Sequence, residues 1–282
     1  MGMRFSFAGR NKTWDVCSGQ PQLMGVLNVT PDSFSDGGLF TSVETAVARA
    51  IEMQRQGASV IDIGGESTRP GADVISEREE IRRVVPVIEA LRLRTNIIIS
   101  IDTSKASVAK AAINAGANVI NDVSGFRFDD DMASVAATSD AGCILMHTPA
   151  RPDEMDNHAV YDDVVETVKA ALVQSIERAT RAGVCRHHIM LDPGFGFGKT
   201  PEQNYELLQR LPELAALGFP LLVGVSRKRM VRHLAGTDSE LIAHGNTAFH
   251  TVAAMRGASA LRVHDVAHAK VAAEVATTFT RG

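Results

Sequence analysis

Asp102, Asn121, Asp192 and Lys228 lie far apart in the chain, yet each stands at or near the end of a short apolar run. Together they suit a flat nitrogen heterocycle. Carboxylates accept from ring N–H and exocyclic amino groups, an amide both accepts and donates, and an ammonium donates to a carbonyl or ring nitrogen. A mismatched ligand would leave buried polar groups unpaired, so such a set discriminates strongly. The plainer alternative, a buried ion pair between Lys228 and one acid, accounts for one pair and not for four residues. A second set is Asn28, Arg262 and His264. Arginine offers phosphate oxygens a planar fork and stacks on ring faces. Asn28 supplies a hard oxygen of the kind Mg²⁺ takes beside substrate phosphates, with water in its other positions. His264 taken alone reads as a helix-cap histidine.

Two polar loops accompany these sets. The run Met24–Gly38 starts as a strand buried on both faces and becomes an acidic, glycine-rich loop after Pro31. Such a loop places chemistry beside a movable cover, although Asp, Ser and Gly are also the ordinary residues of a βα turn. Glu66-Ser67-Thr68-Arg69-Pro70-Gly71-Ala72 is a second loop of this kind, and the two can close together over a substrate. The segment Asp192–Thr200 has the outline of a phosphate-binding loop, but Pro193 stands where GxxxxGK[ST] needs glycine. It reads as a close-approach loop in which Phe197 offers a ring to a ligand. His264 and His268 are four residues apart but lack a Glu or Cys to complete a zinc site. No GxSxG and no Cys–His arrangement points to covalent catalysis.

Positioning these side chains requires a repeating scaffold. Strand-like runs cover 23–29, 59–65, 97–103, 118–124, 143–148, 188–194, 220–227 and 260–265. Helical periodicity covers 41–57, 77–93, 105–116, 129–140, 160–183, 202–217, 228–257 with a break, and 266–279. Gly57, Gly116, Gly183 and Gly257 read as helix ends, and Thr41, Ser76 and Ser104 as N-caps. Eight evenly spaced units predict an α/β fold, a single (β/α)8 TIM barrel spanning 1–282, with 1–22 as a lead-in closing one end. An open doubly wound sheet is the runner-up. Every strand ends on polar residues: Asn28, Asp62, Asp102, Asn121-Asp122, His147, Asp192, Ser226-Arg227-Lys228, and Arg262 with His264-Asp265. In a barrel all of these converge on one face.

Composition agrees. The chain is 45% hydrophobic and only 5% aromatic, as buried parallel strands and covering helices prefer. A net charge of -4 gives no basic footprint for nucleic acid. Three distant cysteines form neither a disulfide framework nor a zinc site. No apolar run reaches membrane-spanning length and no secretory leader is legible, so a reduced, cytoplasmic setting is expected.

Eight segments together carry a family resemblance: LNVTPDSFSDGG (27–38), IDIGGESTRPGA (61–72), SIDTSK (100–105), INDVSG (120–125), LMH (145–147), LDPGFGFGK (191–199), VSRK (225–228) and RVHDV (262–266). In this order the chain resembles the bacterial dihydropteroate synthases. The resemblance implies condensation of 6-hydroxymethyl-7,8-dihydropterin pyrophosphate with 4-aminobenzoate, assisted by Mg²⁺, to give 7,8-dihydropteroate and pyrophosphate. It implies that Asp102, Asn121, Met146, Asp192, Lys228 and Arg262 hold the pterin. Asn28, Thr68, Arg262 and His264 match the diphosphate positions, with Asn28 also the metal position. Phe34, Ser67, Thr68, Arg69, Pro70, Phe197, Lys228 and Arg229 fall where the aminobenzoate pocket forms. Asp102, Lys228, Arg262 and His264 are the implied catalytic groups.

The implied chemistry is loss of pyrophosphate followed by capture of a pterin-stabilised cation, with no strict need for a general base. A homodimer through the last helices and ordinary sulfonamide sensitivity are implied as well. Segments 148–157 and 241–249 match the family loosely. A methyltetrahydrofolate-dependent methyltransferase would leave Arg262 and His264 idle, and a non-catalytic pterin-binding barrel would leave Asn28 and the acidic loop without purpose.

Overall fold

The computed structural model describes residues 4–10, 12–30, 39–66, 74–151, 154–155 and 159–280. The lead-in is an antiparallel hairpin of β1 (Arg4–Gly9) and β2 (Lys12–Cys17), in register from Arg4 opposite Cys17 to Gly9 opposite Lys12. Alternation along it turns Phe7, Trp14 and Val16 inward.

The apolar runs form eight parallel strands: β3 (Gln22–Asn28), β4 (Val60–Gly64), β5 (Ile98–Asp102), β6 (Val119–Asp122), β7 (Gly142–Met146), β8 (Ile189–Asp192), β9 (Leu222–Val223) and β10 (Ala260–Val263). Their order around the sheet is β8-β7-β6-β5-β4-β3-β10-β9. A parallel bridge between Leu191 and Leu221 joins the two outer strands, so the sheet closes into the expected (β/α)8 barrel. Strands so enclosed are buried on both faces, which is why they appear as continuous Val/Ile/Leu runs.

Helices cover the barrel: α1 (Leu39–Gln56), α2 (Glu77–Arg92), α3 (Ala106–Ala115), α4 (Met132–Ser139), α5 (Val164–Arg181), α6 (Pro201–Gln209), α7 (Leu211–Ala215), α8 (Arg229–Ala235), α9 (Ser239–Met255) and α10 (Val266–Thr280). Ser76 caps α2 by accepting from the Glu79 N–H at 3.2 Å. Two expected caps are corrected. Thr41 lies inside α1, which begins at Leu39. Ser104 does not cap α3, because Asp129 reaches from the β6–α4 connection to accept from the Ala106 N–H at 2.7 Å. The expected helix over 202–217 is divided where Pro212 opens α7, and 228–257 is divided at Gly236 (φ 70°), after which Asp238 caps α9.

The hairpin seals the N-terminal end of the barrel. Phe7, Trp14 and Val16 pack against Met24, Val60, Val119, Ile144, Met190, Leu222 and Ala260, one residue from nearly every barrel strand. Among the described residues no helix is long and apolar enough to cross a membrane.

Candidate active site

Strand register assembles what the sequence scatters. Asn28 lies beside Gly64, Gly64 beside Asp102, and Asp102 beside Asn121, in one row across β3 to β6. Farther round, Met146 on β7 lies beside Asp192 on β8. Asp62 is two residues before Gly64 and therefore one layer deeper, next to Ser100 of β5.

Arg262 of β10 joins the layers. Its Nε donates to Asp62 Oδ2 and its Nη2 to Asp102 Oδ2, both at 2.6 Å. The same Asp62 oxygen accepts from Asn121 Nδ2 at 3.1 Å. Burial disfavours the Arg262 charge, but Asp62 and then Asp102 more than reverse this and raise its pKa above the ordinary range. Burial pushes the Asp102 carboxyl up to about 7 against the pull of Arg262, with Asp62, Glu80 and Asp122 adding to the rise. Asp102 thus gains from any further N–H donor or positive charge brought to it. Neighbouring Asp122 faces elsewhere and accepts from the Ser124 and Phe126 N–H groups at 2.8 and 3.0 Å, holding a turn.

Lys228 and Asp192 occupy the other side. Lys228 Nζ donates to the Phe195 carbonyl and stands 4.5 Å from the centre of the Phe197 ring. It makes no ion pair with an acid among the described residues, so the plain salt-bridge reading of Lys228 does not hold; Arg262 makes the pairs instead. Burial lowers the Lys228 pKa to about 8, opposed by Asp192. Asp192 is raised by burial, opposed by Lys228 and by the Gly194 N–H that it accepts at 2.7 Å. Gly196 is indispensable here: with φ 78°, a Cβ on it would come within 2.9 Å of the Lys228 stem.

The lysine of the glycine-rich loop turns inward. Lys199 Nζ meets the Gly194 carbonyl at 2.8 Å, the Phe197 carbonyl at 3.0 Å and His147 Nδ1 at 3.0 Å. Burial lowers its pKa to about 7. It fixes the loop that carries Phe197 instead of reaching for phosphate. The lysine of the SIDTSK segment is likewise internal, since Lys105 bonds Glu80 at 2.7 Å, Glu66 at 3.1 Å and the Ile75 carbonyl at 3.0 Å.

Asn28 makes no side-chain hydrogen bond with the described residues. A Cβ on Gly64 would meet Asn28 Oδ1 and Asp102 Oδ2, each at 3.7 Å, so glycine there leaves a cradle between two oxygens. Hard oxygen atoms around a small space suit Mg²⁺ bound chiefly by substrate phosphates and water. Among the described residues no three His, Cys, Asp or Glu side chains form a metal cluster. His264 Nδ1 lies 3.1 Å from Ser226 Oγ, tying the ends of β9 and β10 together. His268 pairs with Asp265 at 3.0 Å on the first turn of α10. Arg229 is exposed at the start of α8. Phe34, Ser67, Thr68, Arg69 and Pro70 lie outside the described residues.

Residues 24–264 match the model of a family described as pterin binding enzyme. The dihydropteroate synthase of Synechocystis is 47% identical over 86% of this chain and 85% of its own length. The chain belongs to the dihydropteroate synthase family. The structure of the Xanthomonas albilineans family member with 4-aminobenzoic acid superposes with a TM-score of 0.89 at 43% identity, covering 100% of both chains. The Yersinia pestis enzyme in complex with a sulfonamide drug gives 0.90 at 42%, again over 100% of both.

Within this family frame, the loosely matching segment 241–249 is ordinary helix in α9, and Met155 of the other is buried. Asp62 was read only as one of the polar strand ends converging on this face, with no ligand role given to it. Its signal was present: it is the only charged residue inside the apolar run Val60–Gly64, a position a solvated turn former would not occupy.

Proposed function

We propose that this family member condenses 6-hydroxymethyl-7,8-dihydropterin pyrophosphate with 4-aminobenzoate, releasing pyrophosphate and forming 7,8-dihydropteroate. The observation that carries the reading is the rim itself: two buried acids, an amide and two cations, with Arg262 tied to Asp102 on the rim and to Asp62 beneath it. Asp102, Asn121 and Asp192 accept from the pterin's N–H groups, Lys228 donates to its acceptors, and Met146 packs against the ring. When the ring takes Asp102, Arg262 Nη2 is released to cover the ring and meet the diphosphate, which His264 also faces.

The C–O bond to the diphosphate then breaks, pyrophosphate leaves with the electron pair, and the pterin methylene becomes cationic. Asp102 stabilises that charge, since a carboxylate disfavoured by burial gains from any positive charge brought to it. The arylamine nitrogen attacks the methylene carbon and its proton passes to water or the departing pyrophosphate. Mg²⁺ held by Asn28, the diphosphate and water would neutralise the leaving charge. The aminobenzoate pocket is assigned to Phe197, Lys228 and Arg229, with Phe34, Ser67, Thr68, Arg69 and Pro70 from the two loops.

Apolar side chains exposed on α9 (Leu241, Val252, Met255) and α10 (Val271, Val275, Phe279) support pairing with a second copy. Three free cysteines suit a reduced, cytoplasmic setting. The test is pyrophosphate release when both substrates and Mg²⁺ are supplied. One pyrophosphate per dihydropteroate is expected, and release should cease when Mg²⁺ is chelated. A chain that binds the pterin and releases nothing would be a carrier.

A further inference from the structure

Asp62 stands outside every role assigned above, yet Arg262 and Asn121 both bond to it. The residue is fully buried, and its Oδ2 takes Arg262 Nε at 2.6 Å and Asn121 Nδ2 at 3.1 Å. Among the described residues its Oδ1 has no hydrogen-bond partner, and neither has the buried hydroxyl of Ser100 beside it on β5. A buried carboxylate serving only the fold would be expected to have both oxygens satisfied. This one turns a single oxygen towards two side chains of the ligand rim.

We propose that Asp62 is a positioning residue of the pterin site, anchoring Arg262 through Nε and fixing which end of the Asn121 amide the ligand meets. The inference rests on the pterin reading above. A carboxylate bonded to Arg262 only accepts, so the NH₂ end of Asn121 must point down to it. The Asn121 carbonyl oxygen is thereby left for the ligand. The rim then presents acceptors from Asp102, Asn121 and Asp192 along one arc and a donor from Lys228 opposite, a pattern matched by a ring with adjacent N–H groups on one edge. Arg262 is held at two points, and they differ. Asp102 is on the rim, where a ligand competes for its oxygens, whereas Asp62 is out of reach, so Nε stays anchored while Nη2 changes partner. A guanidinium pinned at one nitrogen keeps its place through the exchange and loses little entropy in doing so.

The experiment compares Asp62→Asn and Ser100→Ala with the native chain. Calorimetry measures the affinity for a dihydropterin lacking the diphosphate, and steady-state kinetics measures the KM for 4-aminobenzoate at saturating pterin substrate. Asp62→Asn is expected to weaken pterin binding at least tenfold and to leave the aminobenzoate KM within twofold. Ser100→Ala, in the same buried layer, is expected to leave both unchanged. Equal losses in the two variants, or an Asp62→Asn loss shared between pterin and aminobenzoate, would mean that this layer matters only for packing and would overturn the proposal. A crystal structure of the native chain with the same dihydropterin decides the matter independently of how the variants fold. Nε of Arg262 still on Asp62, with Nη2 withdrawn from Asp102, supports the role, and Arg262 leaving Asp62 altogether overturns it. Failure of the native chain to bind the dihydropterin would instead remove the pterin reading itself.

Discussion

The two ends of the barrel are built from the same strands and obey opposite rules. At the N-terminal end, Met24, Val60, Val119, Ile144, Met190, Leu222 and Ala260 meet Phe7, Trp14 and Val16 in an apolar plug. At the C-terminal end the same strands finish on Asn28, Asp102, Asn121 and Asp192, with Asp62 and Arg262 between the layers. The lower end gains stability from every side chain it buries. The upper end buries charges, several of them held away from their ordinary protonation, and that costs stability in exchange for a prepared site. A few residues along one strand separate the two regimes, so a substitution at either end should report almost purely on stability or on chemistry.

Arg262 is the exception, and its removal should produce the largest effect. Arg262→Ala leaves Asp62 and Asp102 buried without their shared cation, which costs about 3–5 kcal/mol of stability. It should also lower turnover more than it weakens binding of a pterin lacking the diphosphate, because the second task proposed for the arginine is the leaving group. Thermal unfolding and kinetics on one preparation check both parts. Equal losses in turnover and in pterin affinity would remove Arg262 from the departure step. Trp14→Ala tests the opposite end. Trp14 is buried, packs edge-on to Phe7 at 6.1 Å, and makes no hydrogen bond through Nε1 with the described residues. Its truncation should cost roughly 3–5 kcal/mol, a fall in Tm of about ten degrees, while kcat/KM per folded molecule stays within about twofold. A comparable loss of kcat/KM would show that the plug transmits to the rim.

How much of this was legible follows from the same contrast. The barrel was legible because enclosed parallel strands have no solvated face, so each appears as an unbroken apolar run with a polar end. Ser76 announced α2 because its hydroxyl bonds locally, three residues on. Ser104 misled because the group that satisfies α3, Asp129, comes from a different part of the chain. The residues proposed above to hold the ring were legible as types at strand ends, but their pairing was not. Arg262 and Asp62 are 200 residues apart, and although Asp62 stands out as the one charge in an apolar run, nothing local names Arg262 as its partner. Lys199 shows the same limit. In sequence it completes a phosphate-loop outline, and in space it is consumed by two carbonyls and His147.

The smallest predicted effect is the most specific to the upper end, a dependence of stability on pH. Asp102 and Asp122 are raised by burial to about 7 and about 6, from ordinary values near 4. Between those limits the folded chain binds more protons than the unfolded chain, so their contribution to stability falls as pH rises from about 4 to about 7. Lys199 is lowered by burial to about 7. Above that pH the unfolded chain holds the extra proton, and stability rises again towards the ordinary lysine range. These buried groups of the upper end therefore contribute a shallow minimum of stability near neutrality, where the enzyme would work. Asp102→Asn should make the minimum shallower, raising stability near pH 7 by roughly 1–2 kcal/mol relative to its effect near pH 4, while abolishing turnover. Trp14→Ala, lacking any titrating partner, should displace the whole curve downwards without changing its shape. Denaturant titrations of the native chain and both variants between pH 4 and 9 measure this directly, and a curve for Asp102→Asn that runs parallel to the native one would place the buried acids' cost elsewhere in the barrel.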